Sequence, residues 1–273
     1  MTDGYQDILY EVKNGVATIT VNRPEKMNAF REVTYHEVLD ALGRAGWDLD
    51  IGVIVLTGAG GKAFGVGGDS SDKKSERAGR GLLGVPLEEI HTMIRDVPKP
   101  VIAKVNGYAI GGGNVMATIC DLTIASENSQ FGQVGPKVGS VDPGFGTAYL
   151  ARIVGEKKAR EMWYLCRRYS AHEAVATGLA NVVVPDDALD AEVDRWCNEI
   201  LAHSPTALSI ARGPSTNPPL ICPRSAIFDR IAASSVEGIA GFTFSTADTV
   251  VAPLTAPAQI STGFLVLFIA GDH

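Results

Sequence analysis

Apolar residues along this chain fall in short runs broken by glycine, proline and polar positions, with longer helically spaced stretches between them. Ile8–Val12 and Val16–Val21 are β-rich runs around Lys13-Asn14-Gly15, and an Asn-Gly between two such runs predicts a hairpin. Val33, Val38, Leu42 and Ala45 repeat at helical spacing. Val53-Ile54-Val55-Leu56-Thr57-Gly58 reads as a buried strand. Pro86 opens a helix over Leu87–Arg95, and Pro98-Lys99-Pro100 stops it. Val101–Val105 is a strand, Val115–Cys120 a helix-like run and Asp121–Ala125 another strand. Helices follow over Tyr149–Gly155, Lys157–Tyr169, Glu173–Gly178 and Leu189–Leu201, with a short extended piece at Asn181–Pro185. The recurring order strand, turn, helix predicts an α/β chain.

Between two of these elements lies Ala109-Ile110-Gly111-Gly112-Gly113-Asn114. A strand ending in three glycines and running into a helix presents bare N–H groups at the positive end of the helix dipole. Such groups stabilise a phosphate or a developing oxyanion. Taken alone, the triplet fits a tightly packed strand-to-helix turn equally well. A second glycine turn, Phe64-Gly65-Val66-Gly67-Gly68-Asp69, ends the segment after the Val53 strand. Two such turns can each give one backbone donor to a shared oxygen. Neither ends in the Gly-Lys-Ser/Thr of a phosphate loop, and no acidic residue stands at dinucleotide-fold spacing.

A third glycine-rich stretch, Phe131 to Gly144, is too rich in glycine to predict regular structure. It carries a hydroxyl and a carboxylate two residues apart, Ser140 and Asp142. Asp142-Pro143-Gly144 is also a good turn, and Asp142 fits equally as the cap of the next helix. The histidines are scattered: His36, His172 and His203 read as surface or helix-end residues and His91 as part of the Leu87 helix. No Gly-x-Ser-x-Gly elbow occurs.

Composition narrows the classes. A net charge of −7 argues against a nucleic-acid surface, so any bound phosphate must be met by local Lys or Arg. Hydrophobic residues at 45% of 273 allow a large core. Cys120, Cys166, Cys197 and Cys222 lie far apart without metal-ligand spacing, which predicts reduced cysteines, no metal site and a cytoplasmic protein. Residues 1–5 show no signal-peptide pattern, and no apolar run reaches membrane-spanning length, so no membrane partner is expected.

The two glycine turns resemble the oxyanion-hole segments of the crotonase (enoyl-CoA hydratase/isomerase) superfamily. The resemblance runs from about Leu9 to Ala211. It implies a spiral of ββα repeats, residues 1–200, followed by a C-terminal helical region, 201–273. It implies an acyl-CoA thioester substrate, no cofactor beyond the CoA the substrate carries, and a homotrimer or hexamer. The donors it implies are Gly68 N–H and Gly112 N–H, flanked by Gly67, Asp69 and Gly111. The segment Asn22 to Phe30 matches the CoA-lining stretch, with Lys26, Met27 and Ala29 near pantetheine and adenine. Arg23 or Lys26 is expected near phosphate or in solvent. The polar run Ser70 to Arg77 follows the first turn and is expected to gate the substrate.

The hydratases of that family use two glutamates, and the matching positions here are Val115 and Gly135. Neither carries a proton, which excludes hydration by that mechanism. What remains is Asp142 with Ser140. This pair resembles two subgroups, 2-ketocyclohexanecarboxyl-CoA hydrolase and 1,4-dihydroxy-2-naphthoyl-CoA synthase. Lys26-Met27, Val134, Asp142-Pro143-Gly144 and the Gly79-to-Pro100 stretch favour the ring-opening hydrolase. A fold that binds acyl-CoA without chemistry is the alternative from another class.

From about Arg212 the composition changes. The stretch to His273 holds six of the chain's 14 prolines, no lysine and no tyrosine. Pro214, Pro218, Pro219 and Pro223 crowd a region where the family has helices. A divergent tail or a frame shift near Ala211–Gly213 would each produce this.

Overall fold

The hairpin forms where Asn14-Gly15 predicts it. In this computed structural model β1 (Ile8–Lys13) pairs antiparallel with β2 (Val16–Val21), and Asn14 and Gly15 have φ of 51° and 78°. Two left-handed residues in succession make the turn whose twist matches the strands. Residues 4–69, 84–142 and 144–212 are described. The expected gating run and the altered tail lie outside the described residues.

After β2, a short 3-10 turn (Pro24–Lys26) leads to α1 (Glu32–Trp47), β3 (Val53–Gly58), β4 (Ala63–Gly65) and α2 (Leu87–Asp96). Next come β5 (Val101–Val105), β6 (Tyr108–Ile110), α3 (Gly112–Ile119), β7 (Leu122–Ser126) and β8 (Gln130–Gly132). The rest is α4 (Gly135–Val138), α5 (Gly146–Val154), α6 (Glu156–Leu165), β9 (Arg168–Ser170), α7 (Ala171–Ala176), β10 (Val182–Val184), α8 (Leu189–Leu201) and α9 (Pro205–Arg212).

The strands sort into two sheets, β1-β2-β3-β5-β7-β10 and β4-β6-β8-β9. Three successive strand pairs, β3/β4, β5/β6 and β7/β8, each give one strand to the large sheet and the next to the small one. This is the spiral of ββα units. All six residues of β3 are buried, because both faces of the large sheet are covered. Ile54 and Leu56 point into the main core with Val38 and Leu42 of α1. Val53 and Val55 join a second core under Leu189, Val193 and Cys197 of α8. Arg212 at the end of α9 is tied to Asp121 at 2.7 Å and to the carbonyls of Val97 and Ile94.

Two expectations are corrected. The Phe131 stretch is not irregular throughout, since it contains β8 and the one-turn α4. Phe131 is fully buried and anchors β8, Pro136 suits the first turn of a helix, and Gly139 closes it at φ 68°. The Lys157 helix ends at Leu165 and not at Tyr169. Cys166 adopts a left-handed φ of 48°, and Arg168–Ser170 instead pairs with β8. Ser170 and Glu173 then form a reciprocal capping box for α7. Among the described residues, no helix is long and apolar enough to cross a membrane.

Candidate active site

β4 and β6 run parallel, with Ala63 opposite Tyr108 and Gly65 opposite Ala109. Their ends therefore release the two glycine turns side by side. Phe30 forms a parallel bridge to Gly68: Phe30 N–H donates to Gly67 O at 2.8 Å, and Asp69 N–H donates to Phe30 O at 2.7 Å. In that pattern the N–H of the middle residue, Gly68, faces away from Phe30, and a Cβ on the preceding Gly67 would stand 3.0 Å from Gly112 N. Gly112 is the first residue of α3, so its N–H has no partner inside the helix. Gly111 holds the turn in place, with φ 57° and its N–H donating to Gly132 O at 2.9 Å.

The closeness of the two turns depends on bare backbone. A Cβ on Gly112 would stand 3.0 Å from Gly67 Cα, and one on Gly113 would stand 2.0 Å from Gly65 O. Substitution at Gly113 therefore pushes backbone against backbone.

Arg23 and Asn28 secure the first turn. Arg23, expected near phosphate or in solvent, is buried and engaged internally: its guanidinium meets Asp69 at 2.9 Å and also donates to Ala29 O. The chain between them turns through Met27 and Asn28, both left-handed at φ 55° and 54°. Such strain persists when the surroundings dictate it. Here the fully buried Asn28 amide accepts from Arg23 N at 3.0 Å and donates to Ala59 O and Ala63 O at 2.9 and 2.6 Å. Ala29 is buried, Met27 half-buried and Lys26 exposed. Tyr35 of α1 places its hydroxyl 3.8 Å from where a Gly68 Cβ would be. Burial pushes that phenol up to about 12, so it stays protonated.

The third stretch meets the turns through Val134, whose methyl lies 3.5 Å from the Cβ direction of Gly111. Gly135 opens α4 and packs against Ser140, whose N–H donates to Gly135 O at 2.9 Å. Ser140 itself is exposed. Asp142 is half-buried. Its carboxylate accepts from Gly144 N–H at 3.3 Å and Thr147 N–H at 3.1 Å, so it caps the start of α5. The same carboxylate adjoins Val115: a Cβ on Gly146 would meet Asp142 Oδ2 at 2.5 Å and both Val115 methyls at 2.7 Å. Burial raises the Asp142 pKa above the ordinary carboxylate range. The backbone N–H bonds pull it down, and Glu88 of α2 adds a further upward push.

The contribution of α2 is not visible in the sequence. His91, one helical turn after Glu88, is fully buried, and its Nδ1 accepts from Phe145 N–H at 3.3 Å. A Cβ on Gly144 would stand 2.1 Å from that nitrogen. Burial lowers the His91 pKa to about 4, so the ring is neutral at pH 7. In the sequence His91 is one histidine on an apolar helix face, and no spacing links it to Asp142, 51 positions later.

Strand pairs that alternate between two sheets, with two glycine turns released side by side, define a crotonase-type spiral. The chain belongs to the enoyl-CoA hydratase/isomerase family, whose model matches residues 11–214. Solved structures of similar fold include an enoyl-CoA hydratase from Bacillus anthracis. It is 31% identical with a TM-score of 0.69, over 76% of this chain and 81% of that one. An enoyl-CoA hydratase/carnithine racemase from Magnetospirillum magneticum is 30% identical with a TM-score of 0.70, over 83% and 81%. An enoyl-CoA hydratase from Mycobacterium avium subsp. paratuberculosis is 29% identical with a TM-score of 0.68, over 76% and 80%.

Proposed function

We propose that this protein opens the ring of a cyclic β-keto acyl-CoA with water, as in the conversion of 2-ketocyclohexanecarboxyl-CoA to pimeloyl-CoA. The observation that carries this reading is the Asp142 carboxylate beside Val115. At the two positions where the family's hydratases bear glutamates, this chain has Val115, 3% exposed, and Gly135. The carboxylate at the site thus comes from a different element, and with a different partner set, than hydration uses.

The thioester oxygen would sit between Gly68 N–H and Gly112 N–H. Asp142 takes a proton from water as its oxygen bonds to the ring ketone carbon. The tetrahedral oxyanion collapses, the bond from that carbon to the α-carbon breaks, and the electron pair passes into the thioester as an enolate. The two N–H groups hold that charge, each such donor being worth about 3 kcal/mol of barrier. Asp142 returns its proton to the α-carbon, and the former ketone carbon, now a carboxylic acid at the far end of the opened chain, releases its remaining proton to solvent. A raised carboxyl pKa makes Asp142 a stronger base towards that water than an ordinary aspartate. Ser140 would orient the ketone, with Lys26, Met27 and Ala29 along the CoA and trimers or hexamers as the assembly.

Asp142→Asn tests this. Turnover should fall by about 1000-fold while CoA-ester affinity holds. The folded-state pKa of Asp142 is raised, so its contribution to stability is present at acid pH and lost as pH rises through that value. At pH 7 the Asn variant should therefore melt no lower than wild type. A variant that melts lower and loses binding would make Asp142 a structural cap. The cap geometry supports that second reading, a non-catalytic acyl-CoA-binding protein.

A further inference from the structure

We propose that His91 is a positioning residue for Asp142, fixing the 142–147 turn through its Nδ1 acceptor; this rests on the ring-opening reading of the site. Asp142 is aimed by Gly144 N–H and Thr147 N–H, and both belong to one turn at the start of α5. A carboxylate held only by its own turn moves whenever the turn moves. The outside contact is Phe145 N–H, lying between those two donors, which donates to His91 Nδ1. Gly144 lies so close to the imidazole that a Cβ there would overlap Nδ1. One ring thus touches two successive residues of the turn from a different helix.

The chemistry of the ring fits this role. Because Nδ1 accepts, the neutral imidazole carries its proton on Nε2. That Nε2–H is buried and has no hydrogen-bond partner among the described residues. A buried donor left unsatisfied is costly, and an apolar side chain of similar volume would avoid the cost. A histidine here is explained by its acceptor, since α2 could pack equally well with leucine. His91 also lies in the fully buried face of α2 beside Ile90 and Ile94. The acceptor is therefore fixed to the core, away from the exposed 136–141 stretch.

The experiment compares three variants of the full chain, with 2-ketocyclohexanecarboxyl-CoA as the probe. His91→Asn keeps an acceptor where Nδ1 stood. His91→Leu keeps the volume and removes the acceptor. His91→Gln moves the amide towards the Nε2 position. With the acceptor gone, kcat should fall by about 100-fold in the Leu and Gln variants, the scale of a misplaced catalytic group, with KM within about twofold. His91→Asn should stay within about fivefold of wild type on the same scale. Amide hydrogen exchange at Gly144, Phe145 and Thr147 should speed up in the Leu and Gln variants and remain slow in the Asn variant. If His91→Leu does not fold, His91→Gln carries the comparison. Wild-type kcat in the variants lacking the acceptor, or an Asn variant as slow as they are, overturns the proposal. A wild-type protein inert on this substrate would contradict ring opening, and the exchange rates would then decide the role of His91 alone.

Discussion

The two halves of the site are built in opposite ways. The glycine turns at 66–69 and 110–113 present backbone, and they pack so closely at Gly67, Gly112 and Gly113 that an added Cβ would stand 2.0 to 3.0 Å from the facing backbone. The 134–147 segment brings a side chain, the Asp142 carboxylate. It runs through exposed residues and owes its position to α2, a helix some fifty residues earlier. In the proposed mechanism the first half would serve as a dipole cradle, set before substrate arrives. The second is an adjustable arm whose carboxylate is tuned by what surrounds it. Of the two positions matching the hydratase glutamates, Val115 follows the first half on α3 and Gly135 lies in the second.

The sharpest way to break the comparison is to add a methyl to the cradle. Gly113→Ala puts a Cβ 2.0 Å from Gly65 O, and neither backbone can yield cheaply. It should cost about 3 kcal/mol or more, read as a large drop in melting temperature with turnover lost. Wild-type stability would mean that the turns are looser than described.

Next in size is the clamp on the first turn. Arg23→Met removes the 2.9 Å ion pair to the half-buried Asp69 and the bond to Ala29 O, and should cost about 2 kcal/mol in denaturant unfolding. A cost near zero would show that the turn is held without Arg23.

A third test concerns the arm and is read through pH. His91 has a folded-state pKa lowered to about 4 from an ordinary 6.5, so the unfolded chain binds more protons between those values. Its contribution to stability is present above pH 6.5 and lost as pH falls towards 4. The stability advantage of wild type over His91→Asn should shrink across that window, with Asp142 common to both proteins. A constant difference would contradict a neutral, buried His91.

The cradle was legible because glycine is a backbone signal, and Gly67, Gly68, Gly111, Gly112 and Gly113 mark their turns in the sequence itself. The hairpin at Asn14-Gly15 and the α8 boundaries at Leu189 and Leu201 were legible for similar local reasons. Asp142 was visible as a residue, while its environment was not. Its neighbours Glu88, His91 and Val115 come from α2 and α3, and only packing brings them together. Arg23 was misread because a charged residue in a loop usually faces water, whereas here Asp69, 46 positions later, compensates its burial. The strand at Arg168–Ser170 was hidden because the helical pattern runs on past Leu165, and the edge of β8, not local propensity, decides the outcome.

In the proposed reaction this carboxylate and this cradle together break a carbon–carbon bond with water. The direct measurement is mass spectrometry of the products formed from 2-ketocyclohexanecarboxyl-CoA and, separately, from o-succinylbenzoyl-CoA. A product one water heavier than the first substrate, with the mass of pimeloyl-CoA, and no change in the second is the predicted result. A bicyclic naphthoyl-CoA from the second substrate, with the first untouched, would contradict it.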